Sequence, residues 1–414
     1  MFERFDMKEP PRKMKWYLKP LAYLLSAGDV KRHQVKITKT NMDGIKPPYV
    51  LLCNHNAFMD FKVATIALGK VHPNYVVAID GFIGREGLLR NIGCICKRKF
   101  TSDIMLVKHL MSVVKMGSVP AIYPEARYSL CGTTAVLPES LGKLLKVLDV
   151  PVVTLMCHGH HINAPFWNTA DHKVKGLEAE LKLLFSKEEV EQKTVDEINE
   201  DLKQRFWYDD YAWAKSKGKI IKYPKRCLGL HKVLYQCPKC GTEYEMTSTD
   251  LELKCNHCGA TWQMAEDGSL YSNTNEVYFS HIPSWYEWER ANVRKEVREG
   301  RYSSGDLRVK VMSLPNAKRF IDFGYGYMRH DMNGFKVTLD KQFSDEPAEM
   351  IKPVSSLYSC HIEYEYLEKY GDLVDLNTLD DTWYIHPIEG KFSVTKMALA
   401  TEELFLALQE TKKS

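Results

Sequence analysis

The 414-residue sequence lacks long hydrophobic runs, and it lacks a clear excess of either charge. Charged or polar residues interrupt every apolar stretch well before the roughly 18 residues that a membrane-spanning helix needs, which excludes an integral membrane protein. The 57 basic and 53 acidic residues are too evenly balanced for a dedicated nucleic-acid-binding protein. We therefore expect two or three packed domains, no nucleic-acid partner, and only a local basic surface.

The N-terminus also lacks the uninterrupted apolar stretch of a secretory signal, because acidic residues and two prolines occur early in it. Of the 11 cysteines, four form two close pairs and the others are scattered, which fits a reducing compartment better than a disulfide framework. We expect a cytoplasmic protein, with peripheral attachment to the inner face of the membrane as a second option.

Residues 1–36 carry nine basic and four acidic side chains, with apolar residues at near-helical spacing beside Trp16, Tyr17 and Tyr23. This pattern predicts a short amphipathic helix that binds a membrane surface. A helix packed against the next domain is an equally good interpretation. Pro20 is expected to kink the helix or to divide it in two.

Apolar strands alternate with helical stretches from about residue 48. The strands are predicted at 49–53, 74–79, 94–96, 119–123 and 150–156, and helices at 102–116 and 138–148. Such alternation predicts an α/β domain with a mostly parallel sheet flanked by helices, whose binding site lies at the carboxyl ends of the strands. Two or three amphipathic helices over 171–217 are expected to close the domain, one of them with a capping box at Thr194 and Glu197.

A histidine and a carboxylate follow the first of these strands. His55 has the chemistry of a general base near neutral pH, and Asp60 could fix its tautomer and stabilise the imidazolium. Residues five apart point in directions about 140° apart on a regular helix, so we expect His55 before a helix and Asp60 in its first turns. The plainer interpretation is a hydrogen-bonded histidine at a strand end and an aspartate at a helix N-terminus.

Two further polar segments follow strands of the same sheet. Glu125 and Arg127 come after the strand at 119–123, and Arg98 lies between two lysines after the strand at 94–96. A carboxylate and a guanidinium can hold a polyol hydroxyl and an anionic head group, because arginine donates in a fork that suits phosphate. Two alternatives need no ligand. Glu125 and Arg127 could form a structural ion pair, and Arg98 with its two lysines could be a solvated basic edge of the sheet.

Taken in order, these segments resemble the glycerolipid acyltransferase family, whose members acylate glycerol 3-phosphate or lysophosphatidate. The resemblance covers roughly residues 30–165. Four blocks carry it: Asn54-His55 through Asp60 for the histidine–aspartate motif, Gly93 and Arg98 in the second block, Pro124, Glu125 and Ser129 in the Phe-Pro-Glu-Gly-Thr-Arg-Ser block, and Val150-Pro151 in the fourth. Ala126-Arg127-Tyr128 replaces Gly-Thr-Arg, so the arginine is displaced by one position.

The resemblance implies a mechanism and a set of roles. His55 would deprotonate an acceptor hydroxyl, which attacks an acyl thioester of coenzyme A or acyl carrier protein, while Asp60 orients the imidazole. The implied acceptor is glycerol phosphate or a lysophospholipid met at a membrane surface. Substrate-binding roles fall on Asn54, Arg98, Glu125, Arg127 and Pro151, the last as part of the acyl-chain channel.

Four cysteines form two Cys-x-x-Cys-Gly knuckles with 14 residues between them, namely Cys237 and Cys240, then Cys255 and Cys258. Each knuckle turns two thiolates toward one tetrahedral ion, so the spacing predicts a zinc ribbon. Four sulfur ligands leave no open coordination position, and we therefore expect a structural zinc. Two redox-active dithiols are the alternative.

We divide the chain into four parts: a basic amphipathic segment over 1–36, the α/β domain with its closing helices over 37–222, the zinc ribbon over 223–266, and a small β-rich domain over 267–414. The aromatic-rich segments at 283–288 and 361–366 are interpreted as core packing, with a lipid or protein contact as the alternative. The histidine-rich segment 157–161 is interpreted as a polar loop near the active cleft, and a second metal site is the other interpretation.

Two other functions fit the sequence. The chain could be a catalytically inactive binding protein whose zinc ribbon recognises protein or nucleic acid. It could also be an acyltransferase with a different hydroxyl or amine acceptor, which the altered Ala126-Arg127-Tyr128 segment permits.

Overall fold

The computed structural model describes residues 2–273, 278–367 and 370–413. Over the first half of the chain its strands are β1 Lys36–Thr40, β2 Val50–Cys53, β3 Asn74–Ala78, β4 Ile95–Lys97, β5 Pro120–Ile122, β6 Val152–His158 and β7 Glu178–Phe185. The helices of this half are α1 Lys19–Arg32, α2 Met59–Leu68, α3 Glu86–Asn91, α4 Ile104–Lys115, α5 Ser140–Leu148, α6 His160–Asn163, α7 Lys187–Gln192, α8 Val195–Phe206 and α9 Asp210–Ser216.

These strands form one mostly parallel sheet in the order β1-β7-β6-β2-β5-β3-β4. Strands β2 to β6 are parallel to one another, whereas β7 runs antiparallel to β6 and β1 runs parallel to β7. Side chains alternate between the two faces: Leu51 packs toward α1 and α2, and Leu52 packs toward α4, α5 and α8. Helices on both faces thus bury the sheet, and the predicted α/β architecture is confirmed.

The five predicted strands and the helices at 102–116 and 138–148 appear within a few residues of their expected positions. In the closing segment, α7, α8 and α9 are helices, and Thr194 and Glu197 form the predicted capping box. Residues 178–185, however, form β7 rather than part of a helix. Ala179 and Leu181 alternate with polar residues there, and pairing with β6 decides in favour of the strand.

Helix α1 lies in the basic N-terminal segment and follows a short 3₁₀ turn at Trp16–Leu18. Pro20 occupies its first turn, where a missing N–H costs nothing, and of the two expected outcomes the structure has the second: two short helical pieces meet at this proline. The helix packs on α2, and Asp29 pairs with Lys62. Its outward residues are apolar and exposed, including Leu21, Leu24 and Leu25. Among the described residues, no helix is long and apolar enough to cross a membrane.

The second half of the chain contains two antiparallel sheets. The small sheet, in the order β11-β10-β9-β8, consists of β8 Met246–Ser248, β9 Glu252–Cys255, β10 Thr261–Met264 and β11 Leu270–Ser272. The large sheet, in the order β15-β14-β13-β12-β18-β17-β16, consists of β12 Leu307–Ser313, β13 Ile321–Asp331, β14 Gly334–Leu339, β15 Glu349–Pro353, β16 His361–Glu363, β17 Leu373–Asn377 and β18 Thr382–Pro387. Its helices are α10 Ile282–Arg298 and α11 Val394–Lys413.

The C-terminal domain is therefore β-rich as expected, but it also contains α10, which the sequence reading missed. Trp285, Glu289, Val293 and Val297 are buried at a spacing of four residues, the period of one helix face. The aromatic segment at 283–288 is the first part of this helix, and Trp285 packs on Trp262 of the small sheet. The interpretation of this segment as core packing is thus confirmed, and its residues lie in a helix.

Two arginines of the α/β domain join it to the C-terminal domain. Arg98 is buried and donates to the carbonyl oxygens of Leu314, Pro315 and Asp380 and to the Thr382 hydroxyl. Arg127 is also buried and pairs with Glu402 of α11 at 2.5 Å, where Arg290 and Ser359 meet the same carboxylate. These contacts make one packed body of the two domains, because a buried charge needs such partners.

We expect Glu402→Gln to lower the free energy of unfolding by about 3 to 5 kcal/mol, because it leaves the buried Arg127 guanidinium without its counter-charge and removes one of the carboxylates that face Arg290. Urea denaturation measures the change. Asp306→Asn is the control: it breaks an ion pair with Arg329 on the solvent-exposed side of the same domain and should change stability little. Equal stabilities for the two variants would contradict the role of Glu402.

Candidate active site and metal centre

A fully buried carboxylate, Asp60, organises the carboxyl ends of β2 and β6. It lies in the first turn of α2, and its Oδ2 accepts from the N–H groups of Asn56 at 2.6 Å and Ala57 at 3.0 Å. The same oxygen is 3.3 Å from His55 Nδ1, and Oδ1 is 2.5 Å from His160 Nδ1. The chain between strand and helix folds back so that His55 and Asp60 meet, as the five-residue spacing predicts.

The partners of Asp60 keep it ionised. Burial alone would raise its pKa, but the hydrogen bonds and charges of His160 and His55 lower the pKa to about 2. Since Nδ1 of His55 faces the carboxylate, its Nε2 is the nitrogen that can take a proton. This is the arrangement that a histidine general base requires.

The His55 ring lies between two tyrosines. Its centroid is 4.2 Å from the ring of Tyr123 and 4.3 Å from that of Tyr128. Ala126, in the turn between these tyrosines, has a φ of 56°, in the left-handed region that glycine adopts without strain.

Two of the predicted substrate-binding residues hold the site together. Glu125 accepts from the N–H of His55 at 2.9 Å and from that of Ala135 at 2.8 Å. Burial raises the pKa of Glu125 to about 8, although these N–H groups act in the opposite direction. Asn54 is buried and exchanges hydrogen bonds with the backbone N–H and C=O of Cys157. Both residues position the loop of His55, and their predicted contact with substrate stays a prediction.

The other three predicted residues do not lie together, and of the three Arg127 lines a cavity that His55 also lines. Arg98 uses its terminal guanidinium nitrogens on the C-terminal domain, and Arg127 pairs with Glu402. Pro151 precedes β6 beside Val50, at the opposite end of these strands from His55. Its predicted place in an acyl-chain channel stays a prediction.

His160 is the site residue whose role the sequence analysis did not assign. It is fully buried, it begins the short helix after β6, and its Nδ1 donates to Asp60. Asp210 fixes this turn by accepting from the N–H groups of Gly159 and His161, and burial raises the pKa of Asp210 to about 7. The segment 157–161 lies next to Asp60, but the expected polar loop is wrong: the segment is the end of β6 and the start of the short helix α6. Its position at the end of a strand next to β2 is the signal that could have identified His160.

Cys157, His160 and Asp60 also have ligand atoms within 4.8 Å of one another. The 2.5 Å separation of His160 and Asp60 is the distance of a charge-assisted hydrogen bond, which accounts for both groups without a metal.

Two cavities meet at His55. The apolar cavity has a volume of about 220 Å³ and is walled mainly by aliphatic side chains: Val76, Leu106, Ile122, Leu141 and Leu144. The polar cavity has a volume of about 420 Å³ and combines aromatic rings with charged and polar side chains: Asp80, Arg85, Lys99, Arg127, His361 and Glu363. Lys99 borders both cavities. An apolar and a polar substituent could thus approach one imidazole from two sides.

The four paired cysteines form a separate candidate metal centre beside the small sheet. Their sulfur atoms all lie within 4.8 Å of one another, with Cys237 and Cys258 3.7 Å apart and Cys240 and Cys255 3.8 Å apart. Sulfurs at about 2.3 Å from a tetrahedral zinc are separated by about 3.8 Å, so the set fits that ion. Cys237 and Cys255 belong to the same core as Trp262 and Trp285, which suits a structural role.

No protein-family model matches the chain, and no curated protein matches it. Among solved structures, the chain is similar to the 1-acyl-sn-glycerophosphate (LPA) acyltransferase PlsC from Thermotoga maritima, with 13% sequence identity and a TM-score of 0.35. The match covers 46% of this chain and 79% of that one. A likeness this weak does not decide what the chain does.

We expect the purified protein to hold about one zinc per chain and Cys240→Ser to lose it, since three thiolates bind the ion more weakly than four. Cys240 is exposed, so a fall in its unfolding temperature would report the metal rather than lost packing. Elemental analysis and thermal unfolding are the measurements. Cys227→Ala, a cysteine outside the cluster, should keep its zinc; equal zinc contents in both variants would contradict the Cys₄ site.

Proposed function

We propose that this chain is an acyltransferase that moves a fatty acyl group from an acyl thioester, on coenzyme A or acyl carrier protein, to an acceptor hydroxyl. The observation that carries the proposal is the position of His55. It is oriented by an ionised Asp60 and borders both an apolar and a polar cavity. The apolar cavity suits the acyl chain and the polar cavity suits the acceptor.

The reaction needs one proton acceptor beside the acceptor hydroxyl. Nε2 of His55 takes the hydroxyl proton while the oxygen attacks the thioester carbonyl carbon, and Asp60 stabilises the imidazolium that forms. The C–S bond then breaks. The departing thiolate takes the proton from His55, which leaves an ester, a free thiol and the original imidazole.

Several neighbours support His55 in this role by restricting its motion. Tyr123 and Tyr128 pack against its ring, Glu125 holds its backbone N–H, and His160 shares the Asp60 carboxylate. A base that is already oriented loses less entropy when the acceptor binds. Glycerol 3-phosphate and lysophosphatidate are the first acceptors to test, because the order of the motifs predicts them.

We further propose that the exposed side of α1 meets the membrane in which such lipids lie. Leu24 and Leu25 are 69% and 66% exposed, and Trp16 beside them is 79% exposed. Lys13 and Lys15 are exposed in the same segment. Apolar and aromatic side chains next to cations favour an anionic bilayer surface.

We expect His55→Ala to lower the rate of acyl transfer about a hundred- to ten-thousandfold, because the acceptor hydroxyl loses its base. The assay follows thiol release from palmitoyl-coenzyme A in the presence of mixed hydroxyl acceptors and identifies the esters by mass spectrometry. His72→Ala, which changes a histidine outside both cavities, should keep wild-type activity.

Two results would count against the proposal. Unchanged transfer by His55→Ala would remove this residue from the mechanism. Absence of transfer by the wild-type protein, with every acceptor and both kinds of thioester donor, would refute the acyltransferase function itself.

We expect the double variant Leu24→Glu/Leu25→Glu to bind phosphatidylglycerol-containing vesicles at least about tenfold more weakly, since it puts charge on the apolar face. Both side chains are exposed, so the fold should be unaffected. Vesicle co-sedimentation is the measurement, and Leu228→Glu, on an exposed leucine near the zinc ribbon, is the control. Equal binding by both variants would place membrane contact elsewhere on the molecule.

A further inference from the structure

The C-terminal domain forms one wall of the polar cavity, to which strand β16 contributes His361 and Glu363. His361 is buried, and its Nδ1 donates to the buried Asp375 at 2.6 Å. The Lys99 ammonium lies 3.1 Å from Nδ1 and 2.9 Å from Nε2 of this imidazole, so it contacts the face of the ring. Two domains thus fix the cation beside the cavity.

The buried cations at the cavity already have counter-charges. Lys99 Nζ is 3.7 Å from Asp80 and 3.8 Å from Asp375. Burial alone would lower the pKa of Lys99, but Asp80, Asp375 and Glu363 raise it above its ordinary value. Arg127 is balanced by Glu402. The exposed Arg85 faces solvent, so no uncompensated buried positive charge awaits a phosphate among the described residues of this wall.

The wall of the polar cavity offers both acceptors and donors of hydrogen bonds. Glu363 and Asp80 offer carboxylate oxygens, which accept hydrogen bonds. Arg127 offers donors, since its Nε and Nη1 are buried and have no hydrogen-bond partner among the described residues. A hydroxyl group both donates and accepts and can use both sets. Phosphate oxygens only accept, and the two carboxylates would repel them.

The remaining wall is aromatic. The rings of Phe58, Tyr123, Tyr128 and Tyr366 line the polar cavity together with His55. Such rings pack against the C–H faces of a polyol while its hydroxyls reach the charged groups.

We infer that the polar cavity binds an uncharged polyhydroxyl head group, such as a sugar or a glycerol without phosphate, and that β16 of the C-terminal domain supplies its specificity. The identification of this head group with the acyl acceptor rests on the proposed function. Glu363 is then a specificity-determining residue that accepts from an acceptor hydroxyl, while His361 is a positioning residue that acts through Lys99.

The first measurement compares acceptors in one reaction with palmitoyl-coenzyme A: a monoacylated glucosylglycerol, 1-oleoylglycerol, lysophosphatidate and glycerol 3-phosphate. We expect kcat/KM for the best uncharged acceptor to exceed that for lysophosphatidate at least about tenfold, because hydrogen bonds to charged groups discriminate by about this factor. A preference for lysophosphatidate or glycerol 3-phosphate would overturn the inference and leave the acyltransferase proposal intact.

The second measurement uses two glutamates of one segment. Glu363→Gln should raise KM for the uncharged acceptor about tenfold and leave KM for the thioester unchanged, because it removes one charged acceptor of hydrogen bonds. Glu365→Gln is the matched control, since the Glu365 side chain is 70% exposed and meets Lys232 outside the cavity. Identical kinetics for both variants would overturn the role of Glu363, and Asp80→Asn tests the opposite wall in the same way.

Binding without turnover separates the two proposals. Saturation-transfer NMR with octyl glucoside and with glycerol 3-phosphate, on wild-type protein and Glu363→Gln, does not depend on acyl transfer. Glucoside binding that weakens in Glu363→Gln would support the polyol site even if every transfer assay failed. Tighter binding of glycerol 3-phosphate than of the glucoside would refute it.

Discussion

The candidate active site depends on the burial of the Asp60 carboxylate. An ionised carboxylate withdrawn from water is stable only when charge-assisted hydrogen bonds replace its hydration. Two backbone N–H groups and two histidines provide these bonds. Because His55 follows β2 and His160 follows the neighbouring β6, one side chain ties together the ends of two strands and orients the proposed base.

The same rule governs how the domains join. Arg98, Lys99 and Arg127 are cations at the carboxyl edge of the parallel sheet, and each finds its partners in the C-terminal domain. That edge is where α/β proteins bind their ligands. The C-terminal domain therefore forms part of the wall of the candidate site and supplies partners for these three cations.

Much of the α/β domain and both local constellations could be predicted from the sequence. Alternation of apolar strands and helices predicted five strands of the sheet, since burial on both faces leaves near-continuous apolar runs. The His55–Asp60 pair and the four cysteines could be found because their members are close along the chain. Strands β1 and β7 and helix α10 were missed. The segment of β7 is rich in Glu, Lys and Leu, a composition typical of helices, although its polar and apolar residues alternate as in a strand. The aromatic residues of α10 favoured a strand, although its buried residues recur every four positions as in a helix.

The sequence by itself determined the local chemistry: that His55 meets Asp60, which cysteines converge, and where five of the sheet's strands lie. It could do so because short loops and regular elements restrict the geometry over a few residues. Only the tertiary structure decided which residues, distant along the chain, pair with these local groups. His160 is 100 residues from Asp60, Glu402 is 275 residues from Arg127, and His361 is 262 residues from Lys99. Burial pairs such charges across the folded chain, and no local pattern records that choice.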